Sequence, residues 1–391
     1  MIAGKKYFAV FTSLLIIFIV LGRDTQLYGQ DEQHPAVDVT RESVETDHVE
    51  SGHPEAAEEE FNATESILEH ISDSHDWHLF TTKEGKHVSI PLPVILYSKH
   101  SGLHIFLSSK IAHGHTHEGF QMGQGTIEVK NRKGEIVEKS LEGKIIEVDQ
   151  YGQMVEAGLP IDLSITKNVA MMMLSVVILL WVFLALAKAY RKIGISEPKG
   201  MMGFIEPVIV FIEEDVAIPN IGEDKYYRYM PYLLTIFFFI LINNLMGLIP
   251  FFPFGANVTG NIAVTGVLAI FTFLITTFSG NRGYWQHIFN TPGVPVWLSP
   301  IMIPVEIIGM ITKPFALMVR LFANITAGHI IVLSLISMIF IFKSIFMSVP
   351  SLVMVIFMDL IELLVAFLQA YIFTLLSALF IGLAMPEHHH D

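Results

Sequence analysis

The chain has 391 residues, 52% of them hydrophobic and only 16% charged, with no cysteine and a formal net charge of −14. That balance is a membrane profile and excludes an ordinary soluble enzyme. The acidity argues against nucleic acid as a partner, and the missing cysteine rules out disulfides, thiolate sites and iron–sulfur clusters.

Lys5 and Lys6 precede an apolar run from Phe8 to Leu21, and a polar stretch ends near Gly29. This is the layout of a secretory signal, so residues 1–29 are read as a signal peptide. Residues 30–76 are acidic and rich in histidine and lack apolar periodicity. They form a linker that cannot bury enough surface to fold alone. From 77 to 165 short alternating runs, His87-Val-Ser-Ile-Pro, Val94-Ile-Leu-Tyr, Thr126-Ile-Glu-Val-Lys and Lys144-Ile-Ile-Glu-Val, alternate with turn residues. They predict a small external domain with β structure. Within it, His113-Gly-His115-Thr-His117 has no carboxylate or cysteine framework beside it and reads as a solvated loop. Neither a metal nor a cofactor is expected.

The membrane domain, 166–386, holds five long apolar segments, at about 168–188, 231–252, 261–279, 299–341 and 349–385. The fold class is therefore an all-α polytopic membrane protein with five membrane-inserted helices. The last two are far longer than the roughly 20 residues a bilayer requires, so they form a long, tilted antiparallel hairpin. Residues 200–218 mix apolar faces with Glu206, Glu213, Glu214 and Asp215, as an amphipathic surface helix would. Lys188, Arg191, Lys192, Lys199, Lys225 and Arg228 all follow the first span, whereas 253–260 carries no Lys or Arg. That loop is cytoplasmic, the N-terminal domain lies outside, and the tail 387–391 is cytoplasmic.

The membrane segments contain a small set of polar groups. Arg320 stands inside an apolar run, where a charge costs roughly 2.5–3.5 kcal/mol even on the lenient insertion scale. Arginine keeps its proton, so it can block protons but not relay them. Glu306, Lys313 and Arg320 recur every seven residues on one face, and Asn324 continues it. His329 lies about 13 Å beyond Arg320 along the helix. On the last segment Asp359, Glu362 and Gln369 share one broad face. With a turn near residue 345, Arg320 falls opposite Gln369 and His329 opposite Glu362. The set suits proton transfer in two half-paths. His329 and Glu362 lie toward the outside, Glu306 toward the inside, and Arg320 blocks a direct leak between them. Lys313 is placed at the cytoplasmic interface as a snorkelling residue.

Lys313-Pro314 through Arg320-Leu-Phe-Ala-Asn324, Ala327-Gly328-His329, Leu368-Gln369-Ala370, Asn244-Leu-Met-Gly-Leu-Ile-Pro250 and Asn261-Ile-Ala-Val-Thr265 together resemble subunit a of the F-type ATP synthase. The resemblance covers about 165–385 and leaves the external domain unexplained. It implies a proton-translocating stator subunit in a bacterial inner membrane, coupling proton flow to ATP synthesis. Arg320, with Gln369 and Asn324 beside it, would face a rotating ring of c subunits and pair with the ring carboxylate. His329, Glu362, Asp359 and Asn244 would line the outer path, and Glu306 the inner one. Partners implied are the c-ring, the b subunits of the peripheral stalk, the rest of the complex and the lipid bilayer. Gly247 stands where some relatives place an aspartate. Some bacterial members also exchange the positions of the acid and the histidine.

A stand-alone secondary transporter or channel is the alternative, but there is no internal repeat and no matched pair of broken helices. An intramembrane metalloenzyme lacks its His-Glu-x-x-His helix, and no phosphate-binding Gly-x-x-x-x-Gly-Lys-Ser/Thr loop is present. The chain on its own is thus no enzyme and binds no nucleotide by that route.

Overall fold

The computed structural model describes Ile67 and residues 71–385, apart from 82–86, 124, 131–135, 142, 150–153, 156–158, 194–199, 250–252, 290–295 and 343–344. The expected signal peptide, nearly all of the acidic linker and the C-terminal tail lie outside the described residues. The described residues divide into two compact units, a first of residues up to Lys167 together with 336–349, and a second of 168–335 together with those from Pro350 on.

The first unit holds short antiparallel strands: β1 (Asp76–Thr81), β2 (His87–Pro91), β3 (Pro93–Ser98), β4 (Gly102–Leu107), β5 (Phe120–Met122), β6 (Thr126–Lys130), β7 (Ile136–Ser140), β8 (Ile145–Glu147) and β9 (Ile161–Asp162). β1 pairs with β2, β5 with β8 and β6 with β7, and one three-stranded sheet runs β4-β3-β9. The four alternating runs picked out in the sequence are β2, β3, β6 and β8. Alternation in β3 turns Val94 and Leu96 inward, where they meet Phe106, Ile111, Phe120 and Ile145 in a core. The β3–β4 hairpin turns at Gly102, whose φ of +84° favours glycine. Ser98 Oγ accepts from the turn amides of His100 and Ser101 and donates to Glu147 at 2.6 Å.

β9 is too short to pair strongly by itself, and its continuation is held by other bonds. Leu163 N donates to Ile95 O, Ile165 N to Pro93 O, and Lys167 N to Ser74 O. Beside it the buried His75 places Nε2 2.7 Å from Asp162 Oδ2. Burial works against charge on this ring, but the Asp162 bond and charge outweigh it, helped by Asp73 and Asp76, and raise the His75 pKa. Burial likewise opposes the Asp162 carboxylate, yet His75 and Ser164 hold its pKa below the usual value.

From Lys167 on the chain is helical: α1 (Lys167–Ile193), α2 (Met201–Phe211), α3 (Ile218–Ile221), α4 (Tyr226–Gly247), α5 (Ile262–Ser279), α6 (Arg282–Phe289), α7 (Ser299–Phe342) and α8 (Ile345–Leu383). A π-helical turn, Ile212–Ala217, joins α2 to α3. Five of these helices are long and apolar enough to cross a membrane: Lys167–Arg191, Tyr226–Gly247, Ile262–Ser279, Ser299–Ile339 and Ser348–Leu383. They coincide with the five predicted segments. α7, with 44 residues, is about 66 Å long against a hydrocarbon core of about 30 Å.

α4 is the most enclosed span, with Leu233, Phe237 and Ile240 fully buried. Asn261 caps α5 by accepting from Ala263 N at 2.9 Å. The predicted amphipathic segment is α2–α3, which buries Met202, Ile205, Ile212 and Val216 and leaves Glu214 and Asp215 exposed. Its end packs so closely on α8 that a Cβ on Gly382 would collide with the Asn220 carbonyl.

The His75–Asp162 pair makes the first unit's stability pH-dependent. The raised His75 pKa adds stability that is complete below its unfolded value and is lost as pH rises through the folded value. The lowered Asp162 pKa adds stability present above its unfolded value and lost as pH falls through the folded one. The pair therefore supports the fold most in weakly acidic solution. His75→Ala is expected to remove about 1–3 kcal/mol at pH 6 and to flatten the decline toward alkaline pH. Denaturant unfolding of the full chain in detergent, followed by fluorescence of the buried Trp77, measures it.

Candidate functional site

The α7–α8 hairpin brings the polar groups of two helices together. Asn324 Nδ2 donates to Gln369 Oε1 at 2.9 Å. Gln369 is 2% exposed, and its Nε2 is buried with no hydrogen-bond partner. Arg320, one helical turn before Asn324, is exposed, and no hydrogen bond or ion pair engages it among the described residues. The register therefore differs from expectation by about one turn. Gln369 hydrogen-bonds Asn324 rather than Arg320. Ala316, Ala323 and Ala327 are exposed near Arg320 on the same helix, so a neighbouring helix can come close to the guanidinium.

Two turns further along, Glu362 packs against Gly328. A Cβ at Gly328 would collide with the carboxylate, whose Oε1 is buried without a hydrogen-bond partner. Here the expected register holds, with Glu362 opposite the residue before His329. His329 is half-buried, and its Nε2 lies 3.6 Å from where a Cβ on Gly247 would stand. Residue 247 thus adjoins the histidine. Asp359, one turn from Glu362, is exposed.

Asn244, expected along the outer path, is 3% exposed and committed to packing. It donates to Ala366 O at 3.1 Å and accepts from Thr259 Oγ1 at 2.6 Å. It ties α4 to α8 and to the loop before α5.

On the other side of Arg320, Thr272, Thr276, Tyr284, Lys313 and Phe380 line a cleft together with Met310 and Pro314. Pro314 has no N–H, so the Met310 carbonyl one turn back loses its helical donor. Lys313 Nζ sits 5.7 Å from the centre of the Phe380 ring. Thr276 Oγ1 is buried without a partner. Tyr232 OH and Thr272 Oγ1 are 2.7 Å apart, and Thr272 continues to Ser377 at 3.3 Å. Burial, together with the charge of the half-buried Glu306, raises the Tyr284 pKa. Sequence reasoning missed Thr276 and Tyr284, and it quoted Gly328 only within a motif without assigning it a contact. Only the Gly-His pair around 328 carried any signal, and its meaning depends on what faces it.

In the first unit, His104 Nδ1 lies 2.7 Å from Glu118 Oε2 and His117 Nε2 lies 3.8 Å from Glu118 Oε1. Among the described residues no group of three His, Cys, Asp or Glu side chains is arranged to hold a metal ion.

A five-span helical protein with one exposed arginine in its longest hairpin, flanked by separate acidic and histidine groups, defines an ion-conducting membrane subunit. Residues 169–382 match the ATP synthase A chain family, and residues 66–163 match a domain of unknown function. The chain is 50% identical over 235 residues to ATP synthase subunit a of Chloroherpeton thalassium, covering 59% of this chain and 69% of that one. It is 50% identical over 238 residues to ATP synthase subunit a 2 of Chlorobaculum tepidum, covering 59% and 66%. It is 51% identical over 240 residues to ATP synthase subunit a of Chlorobium phaeobacteroides strain BS1, covering 59% and 68%. The chain belongs to the ATP synthase A chain family, the proton-channel stator subunit of the F-type enzyme. It is a non-catalytic, multi-pass membrane subunit of a bacterial ATP synthase and assembles with the rest of that complex.

The contact at Gly328 gives a direct test. Gly328→Ala is expected to displace the Glu362 carboxylate and to slow ATP-driven proton uptake by roughly 10-fold in vesicles bearing the complex. Gly266→Ala, whose Cβ meets Met318 Sδ at an ordinary 3.5 Å, should leave uptake unchanged.

Proposed function

We propose that Arg320 is the fixed positive barrier between two proton half-paths and faces the ring of c subunits. The observation that carries this reading is the outward, unpaired guanidinium of Arg320 beside the Asn324–Gln369 hydrogen bond. A ring carboxylate that arrives ionised is attracted to this charge. Protonated, it loses the attraction and moves on into lipid. A proton therefore crosses only aboard the ring.

The outer path runs by Asp359, Glu362 and His329, with Asn244 holding the helices around it. Glu362 and His329 suit proton exchange because a carboxyl and an imidazole can each take up and release a proton. The inner path runs by Glu306 and the cleft of Tyr284, Thr276 and Lys313. Support for it comes from the buried, unpartnered Thr276 Oγ1 on a cleft that Tyr284 and Lys313 also line.

The chain resides in the bacterial inner membrane with its β unit outside and its C-terminus in the cytoplasm, the orientation favoured by the positive loop after α1. Residues 1–29 are its signal peptide, 30–76 a linker, 77–165 the external domain and 166–386 the membrane domain. The b subunits of the peripheral stalk hold it against the turning ring.

Arg320→Ala is expected to abolish ATP-driven proton uptake in vesicles bearing the assembled complex and to open a passive leak. Fluorescence quenching of a ΔpH dye, with and without an imposed gradient, reads both effects. Uptake at the wild-type rate in an assembled mutant complex would overturn the barrier role.

A further inference from the structure

The outer face of the β4-β3 pair lacks the polar half that an exposed sheet ordinarily has. Leu103, Ile105 and Leu107 of β4 are 60%, 65% and 46% exposed, while Phe106 and its β3 partner Val94 turn into the core. The cross-strand partners of the three exposed residues are Tyr97, itself 47% exposed, and the half-buried Ile95 and Pro93. Three consecutive pairs therefore form an apolar face with no charge in it, on a strand at the edge of its sheet. A continuous patch of this kind marks an interaction surface.

Connectivity indicates what it meets. β9 runs antiparallel to β3, and Leu163 and Ile165 extend the pairing as far as Pro93. Lys167, held by Ser74 O, then opens α1, the first membrane-spanning helix. Pro93 and Leu107 are directly opposite each other, so this end of the apolar face lies level with Ile165, about 7 Å of chain from the start of α1. The connection is hydrogen-bonded sheet rather than free linker. At the same end, three residues past Leu107, stands the exposed Lys110, its ammonium 3.2 Å from His117 Nε2.

We propose that the outer face of β3–β4 is a membrane-docking surface, on which Leu107, Ile105, Leu103 and Tyr97 rest in the lipid headgroup and upper acyl region. Lys110 reaches the lipid phosphates. Tyrosine and lysine suit the boundary between water and hydrocarbon, and the leucine and isoleucine side chains supply the buried area.

The chain has no cysteine, so one introduced thiol is unique. Ile105→Cys, Leu107→Cys, Leu103→Cys and, as a control, Asp149→Cys would each be labelled with an environment-sensitive fluorophore. The labels would be read in the full chain in phosphatidylethanolamine–phosphatidylglycerol vesicles and in the assembled complex. Far-UV circular dichroism identifies the variants that keep the fold. Doxyl-labelled lipid is expected to quench the three face positions at least about 2-fold more than position 149, with aqueous iodide doing the reverse. Iodide quenching of the face equal to that at 149 would overturn the proposal. So would labels shielded from both quenchers, which would mean that a protein surface, another subunit or a second copy, covers the face.

Discussion

The hydrogen bond between Asn324 and Gln369 sets the register on which the membrane unit's chemistry depends. The Gln369 carboxamide is buried between helices, and leaving both of its ends unsatisfied there would cost several kcal/mol. Sliding α7 by one turn along α8 would break the bond and shift the side chains of α7 by about 5.4 Å. Glu362 would then lose its place against Gly328, and Arg320 would no longer stand next to the pair. One neutral bond thus helps hold both the Arg320 guanidinium and the Glu362 carboxylate at their levels along the hairpin.

Much of this could be read from residue order. The five spans were legible because unbroken apolar runs of this length have one solution in a bilayer, and the β unit because period-two runs were separated by turn residues. The polar groups were legible because charged and amide side chains are rare at such depth. What the sequence hid depended on relative placement. Asn324 and Arg320 lie one turn apart on nearly one face, so residue spacing alone does not say which of them meets Gln369. Gly328 has no meaning until Glu362 is seen against it. The bonds of the Asn244 carboxamide to Ala366 and Thr259 join residues 122 and 15 positions away and leave no mark in the spacing. β9 is two residues long and carries no pattern of its own. β4 reads Leu103-His-Ile-Phe-Leu107, nearly apolar on both faces, and so gives no alternation to mark which side is exposed.

The polar groups near Arg320 are also ordered by charge. Its helical neighbour Asn324 is neutral, and so is Gln369, which takes the Asn324 bond. Glu362 packs at Gly328, eight residues beyond Arg320, and Glu306 precedes Arg320 by fourteen. Along the helix these separations are about 12 Å and about 21 Å. At an effective dielectric constant near 20, opposite charges attract by about 4 kcal/mol at 4 Å but only about 1.4 kcal/mol at 12 Å. A carboxylate placed at Asn324 would hold the guanidinium permanently and compete with any arriving acid. Amides at the contact and acids two or more turns away leave the arginine charged, uncommitted and turned outward, the state in which it can both repel a free proton and attract a passing carboxylate.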